Sequence, residues 1–350
     1  MAPTGSPTRP TLMSVAARAG VSRQTVSNVL HAPDVVQQGT RARVEQAIAE
    51  LGYRPNLAAR QMRTSRSQAI AVRIRPSSDG INAVVLDRFV HALCAAAERH
   101  AYHLVVFTAH DDTDEIRAYE HLDHTLTIDG YVVVGTHAGD RRVDWLLAGG
   151  RPFVTFGRPW GPRAPGPPAA NSTTSRSSNP STELRTDHTW IDVDGAAGTY
   201  AATRHLLENH PQVAFLGWTD SVGTGDDREA GWRRALADAG HDAEPIVLRG
   251  SDTLADGGVM ATELADRHPE VGAAVCVSDS IAIGALRSGH PLALVGFDDT
   301  ATAQALGLTS VAQPYEEAAT RCFAELHRRL VGGDQSPTTQ LLLAPELRIR

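Results

Sequence analysis

The chain has 350 residues, 42% of them hydrophobic and 21% charged, with a formal net charge of −7. That length accommodates two or three domains with sizeable cores, and the apolar content excludes a disordered chain. No stretch approaches the ~20 apolar residues of a membrane span, and residues 1–10 lack a signal peptide's apolar run, so an unstructured arm and a cytoplasmic protein are expected.

Leu12 to Leu30 has the pattern of two short helices joined by a tight turn. Leu12, Val15 and Ala16 recur at helical spacing, and Gly20 stands where the turn needs positive φ. Ser22 can cap the second helix, whose inward stripe is Val26, Val29 and Leu30. Ser22, Arg23, Gln24, Thr25, Ser27 and Asn28 remain for contact with a duplex; guanidinium, amide and hydroxyl groups match the base edges of a major groove. Thr40 to Leu51 is a third amphipathic helix, with Val44, Ala47, Ile48 and Leu51 inward and Gly52 as its stop. Residues 1–75 hold eleven Arg against three acids, a net +8, which leaves −15 for the remainder. A basic head on an acidic body is the footprint of a DNA reader attached to a regulatory module.

The set Val15-Ala16, Ala19-Gly-Val-Ser22, Thr25-Val-Ser27, Leu51-Gly-Tyr-Arg-Pro-Asn56 and Ala59-Arg60 resembles the N-terminal region of the LacI/GalR family of bacterial repressors. The resemblance implies a helix-turn-helix domain over 11–54 and a hinge helix with linker over 55–67. It also implies DNA contacts from Tyr53, Asn56, Ala59, Arg60 and Met62. Met62 stands where the family has a leucine that wedges into a central minor-groove step. It is unbranched and apolar, so it can fill an opened step too. Relatives often carry Arg at the position of Asn28, so a different half-site base is expected there.

From residue 69 short apolar runs alternate with helices, the mark of parallel strands with right-handed crossovers. Strands are predicted at 69–75, 102–108, 130–135 and 152–157, with helices at 84–100, 114–126 and 142–147. Residues 158–188 are rich in Pro, Ser, Thr and Asn and read as a flexible insertion. A second run follows, with strands at 190–193, 212–217, 245–249, 273–278 and 292–297. Helices fall between them, a long one spans 315–331, and the chain ends in a strand around 341–349. Cys94, Cys276 and Cys322 lie far apart in apolar runs and read as buried free thiols, neither a disulfide nor a zinc framework.

Two similar α/β halves with a returning segment resemble the periplasmic-binding-protein fold, which is the body of LacI/GalR repressors. The spread marks are Asp194-Gly-Ala-Ala-Gly198, His205-Leu206, Arg228 with Gly231-Trp232, Ser278-Asp279 and Val295-Gly-Phe-Asp-Asp299. The expected fold is thus α/β. A three-helix helix-turn-helix head and a hinge helix join a two-lobed body of parallel sheets over 68–350. Lobe 1 is expected at about 68–157 and 315–335, lobe 2 at about 189–310 and 338–350.

Ligands of such sheets bind past the carboxyl ends of the strands. Arg228, Ser278 and Asp298 fall there and suit a polyol, and Trp160 and Trp218 could stack on a sugar face. By resemblance Arg228 and Asp298 match the family's sugar-binding arginine and aspartate, while Ser278 replaces a frequent Asn. A structural ion pair between Arg228 and Asp298 is the plainer alternative, and Trp232 reads as core. No Gly-Lys-Ser/Thr loop, His-Glu-x-x-His or Gly-x-Ser-x-Gly elbow is present, and His121 and His124 have no third metal ligand nearby. The expectation is a non-enzymatic regulator with no cofactor or metal. It would bind a near-palindromic operator as a homodimer and answer to a small effector, a sugar, with no membrane partner. The alternatives are a sugar-modifying enzyme with a DNA-binding head and an architectural DNA binder without a ligand.

Overall fold

The structure is a computed structural model and describes residues 10–53, 66–74, 81–161, 187–219, 223–241, 244–332 and 337–350. It divides into two units, Met1–Arg66 and Ser67–Arg350, each with cores of its own.

The head has three helices, α1 (Leu12–Ala19), α2 (Arg23–His31) and α3 (Gln38–Leu51). Thr11 and Ser14 cap α1 reciprocally, which satisfies amide groups that the first turn leaves unbonded. Gly20 ends α1 at φ +65°, a left-handed conformation that glycine takes without cost. Ser22 then accepts from the amide of Thr25 at 3.1 Å and starts α2. Val15, Val26 and Val44, one from each helix, are wholly buried at the centre. Tyr53 belongs to this core and is itself buried. Tyr53, expected to contact DNA, thus has most of its surface packed in the head core. Asn56, Ala59, Arg60 and Met62 lie outside the described residues.

The body is two α/β lobes. Lobe 1 carries β1 (Ala69–Ile74), α4 (Ile81–Glu98), β2 (His103–Thr108), α5 (Asp112–Thr125), β3 (Gly130–Val134), α6 (Arg141–Ala148), β4 (Phe153–Phe156) and β5 (Trp190–Val193). Lobe 2 carries α7 (Gly195–Leu207), β6 (Val213–Trp218), α8 (Thr224–Asp238), β7 (Val247–Gly250), α9 (Leu254–Arg267), β8 (Ala273–Cys276), α10 (Asp279–Arg287), β9 (Ala293–Phe297), α11 (Ala301–Ala305) and β10 (Ser310–Ala312). The chain then returns to lobe 1 with α12 (Tyr315–Gly332) and β11 (Gln340–Leu343), and ends its visits with β12 (Glu346–Arg348) in lobe 2. The strand orders are β11-β5-β4-β3-β1-β2 and β12-β10-β9-β8-β6-β7. All pairings are parallel except β10 with β12.

Two expected boundaries need correction. Residues 190–193 and 340–343 belong to lobe 1, not lobe 2, because β5 pairs with β4 and β11 pairs with β5. The chain therefore crosses between lobes near 193–195, 312–315 and 343–346. The expected insertion also starts too early. Arg158 to Gly161 and Asp187 to Thr189 are placed parts of the body, and Pro159 and His188 are buried. The rest of that segment, 162–186, lies outside the described residues. Among the cysteines, Cys276 and Cys322 are buried but Cys94 is exposed. Leu93, Ala96 and Ala97 take the inward face of α4, and Cys94 falls on the other side.

Candidate effector cleft and DNA-reading helix

Trp218, Ser278 and Asp298 lie at or just past strand ends of lobe 2, Trp160 lies past a strand end of lobe 1, and Arg228 is on the helix that follows β6. Arg228, in the second turn of α8, is buried at 5% exposure. Its Nη1 donates to the carbonyl of Val277 at 2.5 Å, and its guanidinium lies 3.6 Å from the centre of the Phe297 ring. Nη2 stands 3.6 Å from Oδ1 of Asp298, so the two groups foreseen together are together. Asp298 follows β9 directly with φ +111°, and Asp299 follows at +47°, conformations that side-chain-bearing residues rarely take. Hydrogen bonds hold this turn: Asp298 N to Val311 O at 2.8 Å and Asp299 N to Ser310 Oγ at 3.0 Å.

Asp298 accepts from Gln313 Nε2 at 2.5 Å and from the Tyr315 hydroxyl at 3.2 Å. Both donors lie at the second crossover, and Tyr315 is packed in the core of lobe 1. Burial pushes the Asp298 carboxyl up to about 7, against the opposing pull of Arg228. Ser278 is wholly buried, and its hydroxyl donates to Asp252 at 2.5 Å while capping α10 at the amide of Ile281. Its hydrogen-bonding capacity is thus used inside lobe 2. Asp252, just past the end of β7, was not singled out from the sequence, although the strand-end rule that found Asp298 also covers it.

The two tryptophans come from different lobes. Trp218 ends β6, and the Arg228 guanidinium is 5.5 Å from its ring centre. Trp160 follows β4 in lobe 1 and lies against Gly223 at the start of α8, where a Cβ would meet its ring at 2.8 Å. The indole N–H groups of both tryptophans and the Nε of Arg228 are buried with no hydrogen-bond partner among the described residues. Trp232 is core: it is 0% exposed, and its indole donates to Val213 O at 3.1 Å.

Three groups in lobe 1 have the composition of a cation site, Asp112, His137 and Asp140. Arg142 already occupies that place. Its Nη2 is 2.6 Å from Asp140, its Nε 3.3 Å from Asp112, and Nη1 reaches the wholly buried Glu115 at 2.8 Å. The cluster is an ion-pair network within lobe 1, centred on the wholly buried Arg142 and Glu115, and has the chemistry of a fixed support.

On the head, α2 presents Arg23 and Gln24 exposed and Thr25, Ser27 and Asn28 half-buried. Ser22 has its hydroxyl on Thr25, as cap and at 2.9 Å side chain to side chain. Gln24 Nε2 donates to Asn28 Oδ1 at 2.9 Å, so these two amides form one surface pair along the helix. Among the described residues no helix is long and apolar enough to cross a membrane.

A helix-turn-helix head carried on a two-lobed, periplasmic-binding-protein-like body defines a DNA-binding transcriptional regulator. Residues 11–56 match the bacterial regulatory proteins of the lacI family, and residues 203–350 match the periplasmic binding protein-like domain. The HTH-type transcriptional regulator CelR of Thermobifida fusca is 31% identical, over 98% of this chain and 98% of its own. The chain belongs to the LacI family. AscG of Escherichia coli (strain K12), also an HTH-type transcriptional regulator, is 29% identical over 93% of this chain and 94% of its own. Among solved structures, a CelR–cellobiose complex superimposes with TM-score 0.67 at 28% identity, over 98% and 99% of the two chains. The lac repressor dimer bound to operator and the anti-inducer ONPF gives TM-score 0.77 at 23% identity, over 97% and 98%, a likeness of fold.

Proposed function

We propose that this regulator is a repressor. It acts as a homodimer in the cytoplasm on a near-palindromic operator and is controlled by a sugar in the cleft, without catalysis. The observation that carries the sugar reading is the set of buried N–H groups on Trp160, Trp218 and Arg228, combined with the buried carboxylate of Asp298. Buried donors without partners are costly. Hydroxyl groups satisfy both sides at once, since each accepts from an N–H and donates to a carboxylate. The relative whose structure holds cellobiose supports the same ligand class. In this reading Arg228 and Asp298 hold hydroxyls directly and Ser278 acts by presenting Asp252. Trp160 and Trp218 form the walls, and Arg23, Gln24, Ser27 and Asn28 read bases. The hinge over 55–67 carries the effector's message to the head.

Titration calorimetry of the full chain with cellobiose and a panel of mono- and disaccharides is the test, followed by operator binding with and without the sugar that binds. Arg228→Ala and Asp298→Ala are expected to remove the sugar response while leaving operator affinity within about threefold. A normal response in either variant would move the effector site elsewhere. Turnover of any bound sugar would favour the enzyme alternative.

A further inference from the structure

Arg158, immediately after Gly157 at the end of β4, makes contacts that nothing in the effector reading requires. Its side chain is 11% exposed and faces two carboxylates. On the lobe 1 side, Nε donates to Asp192 Oδ2 at 2.6 Å, the backbone amide reaches the same oxygen at 3.2 Å, and Nη2 reaches the carbonyl of Val193 at 3.0 Å. Asp192 and Val193 are the last residues of β5, where the chain first leaves lobe 1. On the lobe 2 side, Nη2 and Nη1 reach the two oxygens of Asp227 at 3.2 and 3.4 Å. Asp227 in turn accepts from the amide of Ala196 in the first turn of α7 at 3.0 Å, and it precedes Arg228 in α8. The guanidinium also lies 4.6 Å from the centre of the Trp160 ring, which touches Gly223 at the head of α8.

We infer that Arg158 is a positioning residue. It clasps the first crossover to the starts of α7 and α8, so that the helix bearing Arg228 moves with the end of β4. A planar guanidinium has donors on several edges and can hold three partners in fixed relation, which a lysine cannot. Trp160 is fixed by the same group, so one residue registers the lobe 1 wall of the cleft against the effector arginine of lobe 2. Lobe closure and Arg158 pairing are then one event: when the lobes part, the Asp227 arm breaks while the Asp192 arm stays. The bistable contact that a ligand biases is the Arg158–Asp227 pair. This inference rests on Arg228 being an effector ligand, and the test separates the two claims.

Hydrogen exchange of the full chain, read by mass spectrometry without ligand, tests the clasp. Arg158→Ala is expected to speed exchange at least fivefold in peptides covering 194–200 and 223–230. Both belong to lobe 2, and Arg158 does not touch the Ala196 amide that reports there. Arg158→Lys should rescue less than half of the change. Asp227→Asn, which keeps shape and side-chain volume, should reproduce the effect at 223–230, and adding it to Arg158→Ala should change little further. Changes confined to 153–161 and 190–193, or full rescue by lysine, would overturn the clasp. In a second arm, calorimetry with cellobiose should give at least tenfold weaker binding for Arg158→Ala. If the unaltered chain binds no sugar of the panel, the sugar reading fails and the exchange result alone decides the clasp.

Discussion

Asp298 joins three unusual conditions in one residue: a buried carboxyl, a positive φ and contacts from both lobes. Burial raises its pKa from 3.8 to about 7, so the folded chain holds this proton more tightly than the unfolded chain does. Stability from this group is therefore full below the unfolded value and falls as pH climbs from about 4 to about 7. Asp298→Asn should flatten that decline, which urea unfolding at several pH values would measure. Parallel profiles would mean that Asp298 stays ionised throughout. Sugar affinity should rise over the same window if the ionised form accepts from hydroxyls, since ligand donors then stabilise the charge. Ser278 allows a different prediction. Ser278→Ala removes the cap of α10 and one hydrogen bond to Asp252, so it should cost about 1–3 kcal/mol in stability. A purely ligand-facing serine would instead leave the unfolding midpoint unchanged.

Among the elements, α2 and the pair α9 and α10 carry the sharpest expectations. Arg23→Ala should cost about 1–3 kcal/mol in operator binding and relax one base position. Equal weakening on every sequence would make Arg23 a phosphate contact. Because Gln24 is bonded to Asn28, Asn28→Ala should blur the base preference at the Gln24 position as well as its own. In lobe 2, α9 and α10 approach so closely that a Cβ on Gly284 would lie 2.1 Å from the carbonyl of Leu254, and one on Gly257 2.3 Å from that of Ile281. Backbone cannot yield as a side-chain tip does, so Gly284→Ala should destabilise by about 1–3 kcal/mol or more, seen in thermal melts. The alternation of strands and helices was legible because apolar periodicity survives in single segments. The caps at Ser22 and Gly20 were legible from local chemistry. Which sheet β5 and β11 join was not, because that choice depends on partners far away in sequence. That Arg228 and Asp298 lie together could be read from strand-end position and resemblance. Arg158 could not, because it lies where composition alone says loop, and its value comes from Asp192 and Asp227, thirty-four and sixty-nine residues onward.

At the scale of the whole molecule, head and body have separate cores, and each is expected to melt with its own cooperativity. Scanning calorimetry should resolve two transitions, the smaller belonging to the head. A single transition would show that the two units share stabilising energy. The lobes differ from the head in being interleaved along the chain. β11 edges the sheet of lobe 1 and β12 edges that of lobe 2, and both come from residues 340–348. During synthesis, at ~5–20 residues per second, the head is complete when the ribosome still has some tens of seconds of the body to make. Neither sheet receives its final strand until residues 340–348 emerge, and until then β5 and β10 each offer an unpaired edge to other nascent chains. A DNA-binding head thus exists before the body that follows it, and the two lobes mature at the same moment. Chaperone demand should concentrate in that interval, and ribosomes stalled after residue 335 should yield chains with a folded head and an aggregation-prone body.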